Sequence, residues 1–272
     1  MTEFFIALQE YQFMQYALAA CLLASLGCGV MGTYVVIKRI SFLSGGIAHT
    51  ILAGMGIAYF LNGSPLLGAI IAALITAVLI GFIKLRWRQD EDILIAAFWS
   101  CGMAIGIIFI SLTPGYNTDL MSYLFGNILL VSFNDLLLMA VLDVFVISLV
   151  FIFYRQFLAA TFDEEFARLR GINVEAIYIL LLCLIALTIV LLIQVVGLIL
   201  VMALLVLPAA CAIQFSSSIP RIMALAVGLS ALITCGGFML SYAPDLPAGA
   251  SIIVVATVVY FISIFLARFR HS

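Results

Sequence analysis

Long runs of apolar residues dominate the chain, and short polar or Gly/Pro-containing breaks separate them. A helix needs about 20 mostly apolar residues to cross the hydrocarbon core of a bilayer. Only Gln194 and Gly197 separate the sixth run from the seventh, and one continuous helix there would leave eight spans. The pattern therefore predicts an all-α, polytopic membrane bundle of eight to nine helices. The nine predicted spans are residues 14–37, 45–61, 66–84, 93–112, 135–154, 175–193, 196–213, 222–241 and 248–267.

Composition points to the same class of protein. Hydrophobic residues make up 67% of the chain and charged residues 9%, against roughly 45–50% and about 25% in soluble domains. The net charge of -2 provides no basic surface for nucleic acid. All six cysteines lie in apolar runs without C-x-x-C spacing, which favours small buried side chains over disulfides or thiolate metal clusters. No soluble segment interrupts the pattern, so we predict a single polytopic domain over residues 1–272.

Basic residues occur in alternate loops under the nine-span count, and the loops between them have none. Lys and Arg are enriched in cytoplasmic loops. The pattern predicts an N-terminus outside the cell and a C-terminus in the cytoplasm, in a cytoplasmic membrane. In the outer loop, residues 120–126 are amphipathic and predict a short interfacial helix, with Tyr116 and Tyr123 at the level of the lipid headgroups. The basic positions are Lys38, Arg39, Lys84, Arg86, Arg88, Arg155, Arg168, Arg170, Arg221, Arg268 and Arg270.

A polar stretch on the predicted cytoplasmic side has the pattern of a short capped helix, residues 161–171. Thr161 followed by Glu164 is typical of a capping box, and Gly171 is placed to end the helix in a left-handed turn. Phe162, Phe166 and Leu169 share one face by their i, i+4, i+7 spacing. Such a face indicates docking into a groove of another protein, and packing against its own bundle is the alternative.

His49 is the only histidine within a predicted span. Gly45, Ala53 and Gly56 lie near it on the same helix face, so the imidazole projects from a strip of small residues that allows close helix contact or an open path. Neutral imidazole is a common metal ligand, and ionisable groups at membrane depth are functional candidates. The two interpretations are a metal ligand on a transport path and a hydrogen bond to a neighbouring helix carbonyl.

Asp143 is the only acidic residue in the interior of a predicted span, since Asp135 and Glu175 are the first residues of theirs. Placing a charged side chain at the bilayer centre costs roughly 2.5–3.5 kcal/mol on insertion scales, so Asp143 is expected to face protein or water. It is a candidate for the same path, and a hydrogen bond to a nearby helix or a position nearer the outer interface is the alternative. Ser100 and His49 together raise the further hypothesis of a hydrolytic dyad within the membrane. The chain has no P-loop, H-E-x-x-H or G-x-S-x-G motif, so it has no Walker A sequence for binding ATP itself.

Five stretches, taken in order and over nearly the whole length, resemble the membrane permeases of ATP-binding-cassette (ABC) importers for zinc, manganese or iron. The stretches are residues 31–42 leading into 46–49, residues 119–127, residues 162–167 with Gly171, residues 196–201 with 207–210, and residues 240–242 with 245–249.

The resemblance implies a permease homodimer in membrane lipid, with a divalent metal ion as the transported substrate and no permanently bound cofactor. It implies two cytoplasmic ATPase subunits that dock on residues 161–171 and an extracytoplasmic metal-binding protein that delivers the ion. ATP-driven closure of the ATPases would move the docked helix and switch the path from outward-facing to inward-facing. The coupling residues carried over are Phe162, Asp163, Glu164, Phe166 and Gly171.

One departure from the family pattern lies next to the histidine. Many members have an acidic residue one turn before it, where this chain has Gly45. Asp143, Ser100 or a group from elsewhere is then expected to complete the ligand set. Alternatively the substrate is a metal chelate of siderophore or cobalamin type. A scaffold or channel without transport is a third hypothesis, and it predicts no dependence on an ATPase.

Overall fold

A computed structural model describes residues 2–87, 90–113, 126, 128–244 and 246–270. Within these ranges the regular structure is helical, with twelve α-helices and one 3-10 turn at Ile128–Leu130. The interfacial helix predicted at residues 120–126 lies outside the described residues, apart from Gly126. The helices are α1 (Thr2–Glu10), α2 (Gln12–Ile37), α3 (Ser41–Phe60), α4 (Pro65–Trp87), α5 (Glu91–Leu112), α6 (Phe133–Ile152), α7 (Tyr154–Phe162), α8 (Glu164–Leu169), α9 (Val174–Val196), α10 (Leu198–Phe215), α11 (Ile219–Tyr242) and α12 (Ala248–Arg270).

The prediction of an all-α membrane bundle is confirmed. Among the described residues, eight helices are long and apolar enough to cross a membrane, and α10 is a ninth, shorter apolar helix. The sixth and seventh predicted spans are separate helices, α9 and α10, because Gly197 between them has a φ of +79°. An L-residue with a side chain rarely adopts that conformation, whereas glycine does so at little cost.

The first of two compact units draws its described residues from Met1–Val36, Asp119–Val144 and Leu191–Ser272. Small and hydroxyl-bearing residues bring its helices together. In the contact of α2 with α11, Ser25 Oγ lies 3.0 Å from Thr234 Oγ1, and Gly29 faces the backbone of Val227. Without a hydrophobic force between helices in lipid, such close backbone approach and polar contacts stabilise helix pairs.

The second unit draws its described residues from Ile37–Thr118 and Phe145–Val190. Here α3 packs against both α4 and α5. Gly54 of α3 faces Gly68 of α4. On the other side, Gly102 and Gly106 of α5 lie against α3, as expected for their G-x-x-x-G spacing. By contrast, Ile71 on α4 is among the large apolar side chains exposed on the outside of the unit, as expected of a surface that meets lipid.

The neighbouring glycines of α11 provide a prediction with an internal control. A Cβ built on Gly237 would lie 2.6 Å from Ile252 Cα, whereas one built on Gly236 meets no atom within 4 Å. We expect Gly237→Ala to destabilise the purified protein by about 1–3 kcal/mol through overpacking against α12. Gly236→Ala should leave stability unchanged or raise it by up to about 1 kcal/mol. Thermal unfolding in detergent measures both, and equal midpoints for the two variants would contradict the packing argument.

Candidate transport site and coupling helix

His49 lies in the second unit on α3 with 8% of its surface exposed. Its ring stacks on Trp99 of α5, with ring centroids 3.9 Å apart and planes 19° from parallel. The stack depends on a glycine one turn after Trp99: a Cβ on Gly102 would lie 2.6 Å from Thr50 Cα, so only glycine lets α5 approach α3 this closely. This close approach places the Trp99 indole against His49, the residue before Thr50.

The Nδ1 atom of His49 is buried and has no hydrogen-bond partner among the described residues. The alternative interpretation, a hydrogen bond to a neighbouring carbonyl, is therefore not observed at this nitrogen. A buried polar atom without a partner carries a free-energy penalty, which functional sites accept when the atom awaits a ligand. Stacking on Trp99 fixes the plane of the imidazole ring. The edge of the ring, where both nitrogens lie, makes no bond to Trp99.

Asp143 lies on α6 within the first unit and is buried. Its Oδ2 atom also lacks a hydrogen-bond partner among the described residues. The hydrogen-bonded alternative is thus not seen at this oxygen, and the acid stays a candidate for the path.

Ser100 is exposed on α5. No hydrogen bond joins it to His49 in the described part of the chain, so the geometry of a hydrolytic dyad is not present there. No three His, Cys, Asp or Glu side chains of the described ranges lie close enough to hold a metal ion together. Within those ranges, one copy of the chain therefore has no assembled set of three or more such ligands.

The short helix of the polar segment begins two residues later than its sequence pattern predicts. Thr161 belongs to the last turn of α7, and α8 begins at Glu164. The N-cap is Asp163, whose Oδ1 accepts a hydrogen bond of 2.8 Å from the backbone N–H of Phe166. The predicted Thr161 capping box is therefore wrong. The extended backbone of Asp163, with φ -149° and ψ 92°, separates the two helices and makes its carboxylate the capping group.

The end of α8 follows the prediction. Gly171 has a φ of +76°, and the backbone N–H of Ile172 donates to the carbonyl of Ala167 across the turn, at 3.0 Å. This closure satisfies a carbonyl that the helix end would otherwise leave unpaired. Ala167 is completely buried and marks the inner side of the helix.

The opposite side of the segment presents apolar groups to the exterior. Phe162 is 65% exposed, Phe166 46% and Leu169 88%. The guanidinium of Arg170 lies over the Phe166 ring, 4.8 Å from its centroid. All three side chains are thus exposed, and we call them together the apolar face of α8, with Phe162, the last residue of α7, at its flank. An exposed apolar cluster edged by charge is typical of a protein-binding surface.

Comparison with known proteins decides the family. The sequence profile of the ABC 3 transport family matches residues 10–267. The chain belongs to the ABC 3 transport family. This assignment confirms the resemblance to metal ABC-transporter permeases and identifies the chain as a multi-pass membrane permease.

Relatives in the ABC 3 family align over nearly the whole chain. The membrane protein slr2045 of Synechocystis sp. is 45% identical over 269 residues, covering 98% of this chain and 95% of that protein. The manganese transport system membrane protein MntC of Halalkalibacterium halodurans is 35% identical over 265 residues, covering 97% and 91%. The solved structure of PsaBC from Streptococcus pneumoniae in complex with Fab has a chain 31% identical to this one. It superposes with a TM-score of 0.87 over 96% of this chain and 94% of that one.

Sequence reasoning missed Trp99 as a partner of His49. Two residues 50 positions apart in an apolar chain carry no local signal of contact. The G-x-x-x-G motif that starts at Gly102 indicated close packing of α5 without showing against which helix.

Proposed function

We propose that this protein is the permease of an ABC importer that carries manganese ions across the cytoplasmic membrane, driven by ATPase subunits on separate chains. The observation that carries the proposal is the buried imidazole of His49 with its unpaired Nδ1, on a helix of a family whose members are transport permeases. Imidazole nitrogen binds divalent first-row metals readily.

Manganese is favoured over zinc and iron by the relatives. The MntC relative aligns over nearly its whole length and is named for manganese transport. Carboxylate, carbonyl and water oxygens suit manganese, while imidazole alone also suits zinc and iron. Because Gly45 provides no carboxylate, we infer that oxygen ligands come from Asp143, Ser100, water or a second copy of the chain. The chelate alternative is not favoured by these relatives.

The assembly we propose is a permease homodimer whose second copy completes the ligand set around a central path. Two ATPases would dock on the apolar face of α8, with Asp163, Glu164 and Gly171 fixing that helix in place. An extracytoplasmic protein would deliver the ion. Residues 1–272 would act as one permease domain, with the N-terminus outside and the C-terminus in the cytoplasm, as the distribution of Lys and Arg supports.

Ion accumulation in proteoliposomes tests the function. The permease is reconstituted with its ATPase and binding protein, and manganese, zinc and iron are each measured by mass spectrometry of the washed vesicles. We expect manganese to accumulate with ATP and not with a non-hydrolysable analogue, and to accumulate more than the other two ions. ATP hydrolysis without accumulation of any free ion would overturn the proposal and return the metal chelate as the leading substrate.

A further inference from the structure

The side chain of Lys38 lies where the coupling segment, residues 154–171 with α7 and α8, meets the transmembrane helices of the second unit. Lys38 follows the last residue of α2, and only 14% of its side chain is exposed. Its Nζ donates a hydrogen bond of 2.8 Å to the carbonyl of Ala160, in the last turn of α7. The same Nζ lies 3.3 Å from Oε1 of Glu164, the first residue of α8. One ammonium group therefore bridges both sides of the break at Asp163.

The charges match the two helix ends that Lys38 joins. A cation is favourable beside the last carbonyls of a helix such as α7, and an acid is favourable in the first turn of a helix such as α8. Lys38 is thus placed to hold the angle between α7 and α8, since its ammonium contacts the first helix and the first side chain of the second. An ion pair with an exposed carboxylate is weak by itself, so the part-buried hydrogen bond to Ala160 carries most of this attachment.

Helix α9 of the second unit also lies close to the Lys38 ammonium. The Lys38 ammonium lies 5.8 Å from the centre of the Tyr178 ring on α9. Lys84 at the end of α4 lies 4.5 Å from that ring centre and donates to the Tyr178 hydroxyl at 3.0 Å. The ring of Tyr178 thus attracts the Lys38 ammonium toward α9, while Lys84 joins α4 to the same tyrosine.

Chain connectivity links this cluster to the candidate transport site. Residues 38–40 are the whole connection between α2 and α3, and α3 begins at Ser41 and carries His49 two turns later. A displacement of α8 that pulls on Lys38 therefore acts directly on the start of the helix that positions the imidazole. Without the hydrogen bond from Lys38 to Ala160, a change of backbone angles at Asp163 would let α8 move without moving Lys38.

We propose that Lys38 is a positioning residue that fastens the coupling helix to the start of α3, so that movement of α8 reaches His49. The proposal rests on the ATP-driven import proposed above. The distribution of basic residues explains Lys38 only as one of the charges on the predicted cytoplasmic side. The proposal gives this residue a specific role.

Transport per ATP hydrolysed in the reconstituted complex tests the proposal. In Lys38→Met, which keeps the length of the side chain but removes the ammonium, we expect this ratio to fall by about fivefold or more, the range typical of coupling between sites. Co-purification of the ATPase and the rate of ATP hydrolysis should stay within about twofold of wild type, because the apolar face of α8 is unchanged. Lys38→Arg should keep most of the coupling, since it restores a cationic donor.

Arg39 provides the matched control, because it is the next basic residue, is exposed, and makes no hydrogen bond or ion pair with the described residues. Arg39→Met should leave transport per ATP at the wild-type value. An equal fall in Arg39→Met and Lys38→Met would show a general effect of cytoplasmic charge and overturn the role of Lys38.

The other outcomes separate this proposal from the function on which it rests. A wild-type complex without ATP-dependent uptake refutes the proposed function, whereas wild-type uptake with an unchanged ratio in Lys38→Met refutes only the role of Lys38. If Lys38→Met does not reach the membrane, Lys38→Gln decides, because it removes the ammonium charge but keeps a polar side chain. A fall in its ratio of about twofold or more supports the attachment, and a wild-type ratio overturns it.

Discussion

His49→Ala is expected to reduce ATP-dependent manganese accumulation to the background of empty vesicles, with normal amounts of protein in the membrane. The substitution removes the buried Nδ1 atom, which has no partner in the described part of the chain and which we propose binds the ion. It also removes the ring that stacks on Trp99. Because no other two ligands are assembled around it within the described residues, loss of one imidazole leaves no substitute.

Three further variants make the result specific. His271→Ala changes the other histidine of the chain, on the C-terminal tail, and should transport normally. Trp99→Phe keeps an aromatic surface against the imidazole and should retain more transport than Trp99→Ala. Unchanged uptake in His49→Ala would return this residue to a structural role and remove the main support for the transport site.

Phe166→Asp is expected to weaken binding of the ATPase by about 30-fold or more, as loss of about 2 kcal/mol at a central interface residue predicts. The variant places a carboxylate on the apolar face of α8, where a partner groove would have to desolvate it. The helix itself should persist, because the new acid lies in its first turn and four residues before Arg170. Co-purification of the ATPase with the tagged permease gives the measurement.

Controls on the same helix separate docking from folding. Glu165→Gln alters an exposed polar residue beside Phe166 and should co-purify the ATPase as wild type does. Phe166→Leu keeps an apolar group and should bind nearly as well. If Phe166→Asp retains normal ATPase, the apolar face is not the docking surface.

The lengths and composition of the apolar runs determined the fold class of this protein. A bilayer requires apolar segments of a set length with internally satisfied backbone bonds, and both requirements can be read along the chain. The backbone conformations at Gly171 and Gly197 were also determined locally, because a residue without a Cβ adopts a left-handed conformation at little cost. The exposure of Phe166 and Leu169 agrees with the predicted apolar face, whereas Phe162 belongs to α7 because the helix is interrupted at Asp163.

The position of the cap in the coupling segment depended on the course of the chain rather than on its pattern. Thr161 and Asp163 are both good N-cap residues, and local sequence favoured the first. Since α7 continues through Phe162, only Asp163 is left with the extended backbone that a cap requires. Similarly, Gly236 and Gly237 are alike in sequence, but only Gly237 lies against α12.

The surroundings of His49 and Lys38 were decided by tertiary structure alone. The sequence identified the histidine as an ionisable group at membrane depth, but Trp99 reaches it only because Gly102 admits α5 to the backbone of α3. Lys38 contacts Ala160 and Glu164 across more than a hundred residues of sequence. Helix formation depends on neighbours in the chain, so patterns reveal it. Contacts between helices depend on which surfaces fit together in three dimensions, and no local pattern encodes that choice.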